Sequence, residues 1–153
     1  SRLPIPLMVA GSGPALLSVA ARSADTVALN PGLPMGSGDW QQGPTPFADV
    51  TDRKLEWMRG AAGARFAVLE LQTSVLAGGI TDGDPADRLQ PVASLLGVSP
   101  AQLAGSPHVL AGTIEQCVEA VRGWRERWGI SYITVPAALA RELAPVVHAL
   151  RGT

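Results

Sequence analysis

A short apolar run that passes through small residues into a proline-started helix constrains the fold of this chain more than any other feature. Residues 7–10 read as a buried strand, and Gly11, Ser12 and Gly13 follow them directly. Pro14 suits the first helical position, where its missing N–H is not needed. The free N–H groups at such a helix start attract an anion through hydrogen bonding and the helix dipole. The segment therefore predicts a phosphate cradle, with an ordinary strand-to-helix turn as the alternative.

The residue sequence of this turn argues against the two best-known nucleotide-binding motifs. Its first two glycines fit the dinucleotide fingerprint, but Leu16 stands where the third small residue belongs, and no acidic residue closes a strand about 20 residues further on. The P-loop motif needs a Gly-Lys-Ser/Thr ending, and the chain's single lysine, Lys54, lies in another context. A standard Rossmann site is disfavoured, and the P-loop pattern fails.

Strand and helix patterns alternate along the whole chain, which is typical of an α/β fold with a parallel sheet. We predict one domain over residues 1–153. Residues 31–48 read as a long loop rich in glycine and proline, and such loops are either functional lids or disordered. The predicted strands cover about 7–10, 26–29, 68–76 and 130–135, and the predicted helices cover about 14–23, 49–62, 85–96, 114–128 and 139–150, with a short helix from 100.

The third predicted strand alternates strictly in polarity. Its polar face needs hydrogen-bonded or solvated surroundings, and the lumen of a barrel with a ligand cavity would supply them. We predict that Glu70 and Gln72 belong to a buried polar network, with direct ligand contact as the alternative. The polar face comprises Glu70, Gln72 and Ser74, and the apolar face comprises Leu69, Leu71, Thr73 and Val75.

The composition excludes several classes of function. The 153 residues are 46% hydrophobic, and 12 basic and 13 acidic side chains give a net charge of −1 without a basic stripe. We therefore expect no nucleic-acid partner and no membrane partner. The single cysteine, Cys117, indicates a reducing cytoplasm, and its place on an apolar helix face predicts a packing residue and not a nucleophile.

No metal site and no catalytic constellation is visible in the sequence. His108 and His148 fall outside any metal-ligand spacing, and there is no Gly-x-Ser-x-Gly elbow. We predict that His108 is a loop residue that satisfies backbone groups. If the chain takes part in catalysis, a bound cofactor carries the chemistry.

Several motifs nevertheless keep a characteristic order along nearly the whole chain. They are Gly11-Ser12-Gly13-Pro14 after the apolar strand, Ala20-Ala21-Arg22-Ser23-Ala24-Asp25, Glu70-Leu71, and Ser106-Pro107-His108-Val109-Leu110-Ala111-Gly112-Thr113 with Gly129-Ile130-Ser131-Tyr132. Together they resemble the luciferase-like monooxygenase superfamily, and within it the oxidoreductases that use the deazaflavin coenzyme F420.

The resemblance implies a particular fold. That family forms a TIM (β/α)8 barrel of about twice this length, since complete barrels need about 250 residues. The chain is therefore expected to be the C-terminal half of such a barrel, with about four β/α units and parallel strands.

The resemblance also implies a cofactor site at the strand ends. The phosphate-bearing tail of coenzyme F420, or of FMN as the alternative, would be held by main-chain amides, and the next strand end would line the same pocket. No catalytic residue is assigned, because in that family the groups around the reactive ring come largely from the N-terminal half. The implied binding residues are Ala10, Gly11, Ser12 and Gly13 at the first strand end, and Leu29 and Asn30 at the next.

By resemblance, the whole protein transfers a hydride between the cofactor and a small organic substrate, and this chain is one incomplete half of it. An isolated half-barrel exposes two sheet edges, so we expect a homo-oligomer or pairing with an N-terminal half-barrel. Two alternatives stay open: a non-catalytic half-barrel that binds a phosphate-bearing ligand, and a structural module that only oligomerises.

Overall fold

Strands and helices alternate through the protein, as the sequence predicts. The computed structural model describes residues 5–32 and 47–151. The strands are β1 (Met8–Gly11), β2 (Thr26–Leu29), β3 (Glu70–Ser74), β4 (Ala77–Ile80), β5 (Val109–Gly112) and β6 (Ile130–Thr134). The helices are α1 (Pro14–Ser23), α2 (Ala48–Ala62), α3 (Pro85–Leu96), α4 (Pro100–Leu103), α5 (Ile114–Trp128), α6 (Ala137–Ala140) and α7 (Ala144–Leu150), and a 3-10 segment spans Gly63–Val68.

The four predicted strands form one parallel sheet in the order β1-β2-β3-β6. Gly11 lies opposite Leu29, Leu29 lies opposite Thr73, and Ser74 lies opposite Thr134. All four carboxyl ends therefore meet at one edge of the sheet. The expected α/β fold with parallel strands is confirmed.

A second, two-stranded parallel sheet lies beyond the carboxyl end of β3. It pairs β4 with β5, so that Ala77 is opposite Val109 and Ile80 is opposite Gly112. The sequence analysis missed both strands, because the two central residues of β4, Gly78 and Gly79, read as strand breakers. In the fold these glycines adopt φ angles of 133° and 132°, which side chains with a Cβ rarely adopt.

The helix boundaries follow their capping residues. Thr113 and Gln116 form the predicted capping box at the start of α5, and Gly129 ends this helix in the left-handed conformation at φ 74°. The last predicted helix is wrong in its extent, because residues 137–150 form two short helices. Pro145 lies in the first turn of α7 and has no N–H to continue the preceding helix.

The main core lies between the four-stranded sheet and the helices. Leu17 and Ala20 of α1, Met58 of α2 and Trp124 of α5 are all buried in it. A smaller cluster, formed by Leu89, Ala93, Leu103 and Val109, joins α3 and α4 to the second sheet. Cys117 is fully buried in the main core, as its predicted packing role requires.

The long loop predicted over residues 31–48, with Trp40, falls mostly on residues 33–46, which lie outside the described residues. Within the described ranges, no helix is long and apolar enough to span a membrane. In that same part of the chain, no three His, Cys, Asp or Glu side chains are grouped as metal ligands.

Candidate functional site

The carboxyl ends of β1 and β2 meet at the mouth of the half-barrel. The backbone N–H of Asn30 donates to the carbonyl of Gly11 over 2.9 Å, which joins the two strand ends directly. Ligands of (β/α)8 barrels bind at this face, where the strands end. The fold therefore brings together two of the predicted cofactor-binding residues, although 19 positions separate them in the chain.

The helix that follows β1 begins without a side-chain cap. Gly13 is the N-cap residue of α1, at φ −103° and ψ 162°, and Pro14 is the first helical residue. The first intrahelical bond runs from the N–H of Leu17 to the carbonyl of Gly13 over 3.0 Å. Because no side chain caps this end, the earlier N–H groups of the turn are available to an anion.

Glycine stands at positions 11 and 13 of this turn for different physical reasons. A Cβ on Gly11 would lie 3.0 Å from the side chain of Leu16, so Gly11 allows β1 and α1 to pack closely. A Cβ on Gly13 would meet no atom within 4 Å, and its backbone angles suit any residue. Neither packing nor backbone conformation therefore requires glycine at position 13. Close approach of a ligand phosphate to the protein backbone would require it.

The other predicted binding residues take different positions around this turn. Ala10 lies opposite Ala28 and is exposed, and Ser12 is half-buried. Asn30 is exposed at the end of β2. The side chain of Leu29 is 1% exposed and belongs to the main core, so only its backbone is placed to line the mouth.

On the polar face of β3, Gln72 is 4% exposed, whereas Glu70 is exposed at the start of the strand. The predicted buried network is therefore confirmed for Gln72 and wrong for Glu70. The side-chain amide of Gln72 donates to the hydroxyl of Thr134 on β6 over 2.8 Å and to the carbonyl of Thr73 over 2.7 Å. The hydroxyls of Ser74 and Thr134 lie 2.8 Å apart, and Glu70 accepts from the hydroxyl of Thr26 over 2.8 Å. The interpretation of Gln72 as a structural residue is therefore confirmed.

A second polar group lies on the other side of β3, where the helices pack. His108 is fully buried, and its Nδ1 lies 3.2 Å from the carbonyl of Ser74 and 3.1 Å from the hydroxyl of Thr73. The predicted role in satisfying backbone groups is confirmed. Burial lowers the pKa of His108 to about 4, the Ser74 contact opposes this, and the charge of Lys54 lowers the pKa further.

Lys54 is the functional candidate that the sequence analysis missed. Its side chain on α2 is fully buried, and its ammonium donates to the carbonyl of Asn30 over 2.6 Å. Burial lowers the pKa of Lys54 to about 8. A signal existed in the sequence, because Lys54 occupies the same helix face as Val50, Leu55 and Met58, which all point into the core.

We expect the stability of the protein to fall between pH 6.5 and about 4 because of His108. The unfolded imidazole takes up a proton near pH 6.5, whereas the folded one stays neutral until about pH 4. The unfolded state therefore binds more protons across this window, and the unfolding free energy falls with pH by about 3 kcal/mol. Urea unfolding at several pH values, compared with His108→Gln, isolates this effect, since glutamine does not titrate. If the unfolding free energy changed with pH in the same way in both proteins, the assignment of this effect to His108 would be contradicted.

No family model matches the sequence, and no curated protein matches it. Solved structures do match its fold. One is the coenzyme F420 dependent tetrahydromethanopterin reductase from Methanopyrus kandleri, with a TM-score of 0.60 and 12% identity over 96% of this chain and 51% of that one. Another is the long-chain alkane monooxygenase LadA, with a TM-score of 0.56 and 13% identity over 94% of this chain and 40% of that one.

Both structures are of the luciferase-like monooxygenase type that the sequence resembles. At these identities the likeness establishes the fold. This chain spans about half the length of the reductase and less of LadA. The fold is therefore that of half of a larger α/β barrel, as the sequence analysis expected.

Proposed function

We propose that this chain is the C-terminal half of a flavin- or deazaflavin-dependent oxidoreductase, and that it binds the phosphate end of the cofactor at the mouth formed by residues 10–13 and 29–30. The observation that carries the proposal is an uncapped helix start, at the carboxyl edge of the sheet, in a fold that matches half of an F420-dependent reductase. Coenzyme F420 is the first candidate and FMN the second, because the neighbours are an F420-dependent enzyme and a monooxygenase.

In this proposal the chain supplies binding and not the reacting groups. The N–H groups after Gly11 would donate to phosphate oxygens, and the dipole of α1 would stabilise their charge. The bound cofactor would exchange a hydride with an organic substrate. The buried, free thiol of Cys117 supports a reducing, cytoplasmic setting for this reaction.

Exposed apolar surface on both flanks of the sheet supports the proposal that a second half-barrel covers them. Beside β1 the apolar side chains of Leu7, Met8 and Val19 are between 48% and 60% exposed. Beside β6, Tyr132 is 41% exposed, and a groove of about 370 Å³ runs between α5, β6 and α7. A complete barrel would cover both flanks, so we propose an N-terminal half-barrel as the partner that closes the structure.

Isothermal titration with coenzyme F420 and with FMN tests the proposed function. We expect one of them to bind with a micromolar Kd, because two or three charge-assisted hydrogen bonds to phosphate supply about 8 kcal/mol at most. Absence of binding by either cofactor, together with a stable dimer in light scattering, would instead favour a structural module.

Light scattering with flank variants tests the proposed partner surface. We expect the chain alone to self-associate through its flanks, and Met8→Glu to shift the population toward monomer by placing a charge on the β1 edge. Leu95→Glu is the matched control, because Leu95 is 82% exposed on α3 and lies away from both flanks. Equal effects of the two variants would contradict the assignment of the flanks.

A further inference from the structure

Within the part of the chain that the structure describes, two buried polar groups behind the mouth lack their full set of partners. The ammonium of Lys54 carries three N–H groups, and the carbonyl of Asn30 accepts one of them. The ion pairs among the described residues join arginines to Asp49, Asp52 and Glu142, so none includes Lys54. No Asp or Glu is among the buried polar side chains of the described ranges. A buried charge without a counter-ion needs further hydrogen bonds.

The second group is the Nε2 atom of His108. It is buried and has no hydrogen-bond partner, alone among the buried side-chain nitrogens and oxygens of the described residues. The hydroxyl of Thr73 donates its hydrogen to the carbonyl of Pro107 over 3.1 Å, so it accepts from the imidazole. The carbonyl of Ser74 can only accept. Nδ1 therefore carries the hydrogen, and Nε2 presents a lone pair.

These two needs are complementary. Among residues 5–32 and 47–151, Lys54 has unused N–H groups and His108 offers an unused acceptor. Lys54 contacts the carbonyl of Asn30, directly after β2. The His108 ring contacts Thr73 of β3, which pairs with Leu29 of β2, so both groups lie at neighbouring strand ends. A group that links them must accept from the ammonium and donate to Nε2. Water does both, whereas an unprotonated anion cannot donate.

We propose that one internal water molecule bridges Lys54 Nζ and His108 Nε2, and that this bridge makes both side chains positioning residues for the mouth. The ammonium fixes the carbonyl of Asn30, and the N–H of Asn30 fixes the carbonyl of Gly11. A hydrogen-bonded connection therefore runs from the residue before β5 through α2 to the turn that precedes α1. The importance of this water bridge for cofactor binding rests on the proposed function, whereas the existence of the bridge does not depend on it.

Because Lys54 is the only lysine, NMR of protein labelled with 15N-lysine follows its ammonium without ambiguity. His108→Asn keeps a side-chain nitrogen near the Nδ1 position and loses the acceptor, whereas His108→Gln places an amide near the Nε2 position. We expect the Lys54 titration midpoint, near pH 8 in the native chain, to fall by about one pH unit in His108→Asn. In His108→Gln it should stay within a few tenths.

Three results would overturn the proposal. An unchanged midpoint in both variants would show that His108 does not serve the ammonium, and equal decreases would show that the effect comes from packing. Unchanged amide signals of Gly11 and Asn30 in His108→Asn would remove the positioning role. If that variant does not fold, imidazole 15N shifts of the native chain decide, because a protonated Nε2 has no lone pair with which to accept from the bridging water. None of these readouts involves a cofactor, so they stand apart from the test of the proposed function.

Discussion

Gly13→Val should abolish cofactor binding while leaving the fold intact. A Cβ at this position meets no protein atom within 4 Å, and φ −103° with ψ 162° is an ordinary extended conformation for valine. The added methyl groups would occupy the space beside the N–H groups at the start of α1, where a phosphate must come within hydrogen-bond distance. Losing two charge-assisted bonds costs about 3 kcal/mol or more, so the Kd should rise at least about 100-fold.

Isothermal titration with coenzyme F420 measures this effect, and thermal unfolding checks the fold. The matched control is Gly60→Val, because a Cβ on Gly60 also meets no atom within 4 Å, but this residue lies on the exposed side of α2. The control should bind like the native chain. Full affinity in Gly13→Val would show that the turn at residues 11–13 is a structural connection and not a phosphate cradle.

The largest loss of stability should come from Gly78→Ala in the second sheet. Gly78 has φ 133°, a conformation that alanine rarely adopts, and the new Cβ would overlap the carbonyl oxygen of Leu110 on the paired strand. A backbone carbonyl held in a parallel ladder cannot rotate away cheaply. The strain and the steric overlap together predict a loss of about 3 kcal/mol or more.

Gly97→Ala separates the two causes of this loss. Gly97 also has a positive φ, 67°, but a Cβ there meets no atom within 4 Å. Alanine in this left-handed conformation costs about 1 kcal/mol. Urea unfolding of both variants gives the comparison, and similar losses would contradict close packing of β4 against β5.

The close packing around Gly78 also explains why the sequence analysis missed β4. A pair of glycines weakens a strand when only intrinsic preference is considered, and Ala77-Gly78-Gly79-Ile80 therefore reads as a loop. In the fold, β5 approaches Gly78 so closely that a side chain at this position would be excluded, and the side chains of Arg88 and Glu142 occupy the space beside Gly79. A strand that forms because of its neighbour's proximity leaves little local signal.

The sequence did predict the elements whose capping or turn residues lie within a few positions of one another. Pro14 placed the start of α1, Thr113 and Gln116 placed the start of α5, and Gly129 placed its end. The polar alternation on β3 identified the Gln72 network before its partner on β6 was known. In each case the hydrogen-bonding group and its target are near in sequence, or the two-residue period of a strand fixes the face.

The site depends on both levels. Local sequence signals identified the turn at Gly11 and Gly13 and the strand end at Asn30, because small residues and a proline have strong backbone preferences. The packing of the fold placed Lys54 behind Asn30, at the strand end next to the one that His108 contacts, 54 positions away in the chain. A lysine is read from sequence as a solvated side chain, and its burial results from the packing of α2 on a sheet whose strands come from three distant segments.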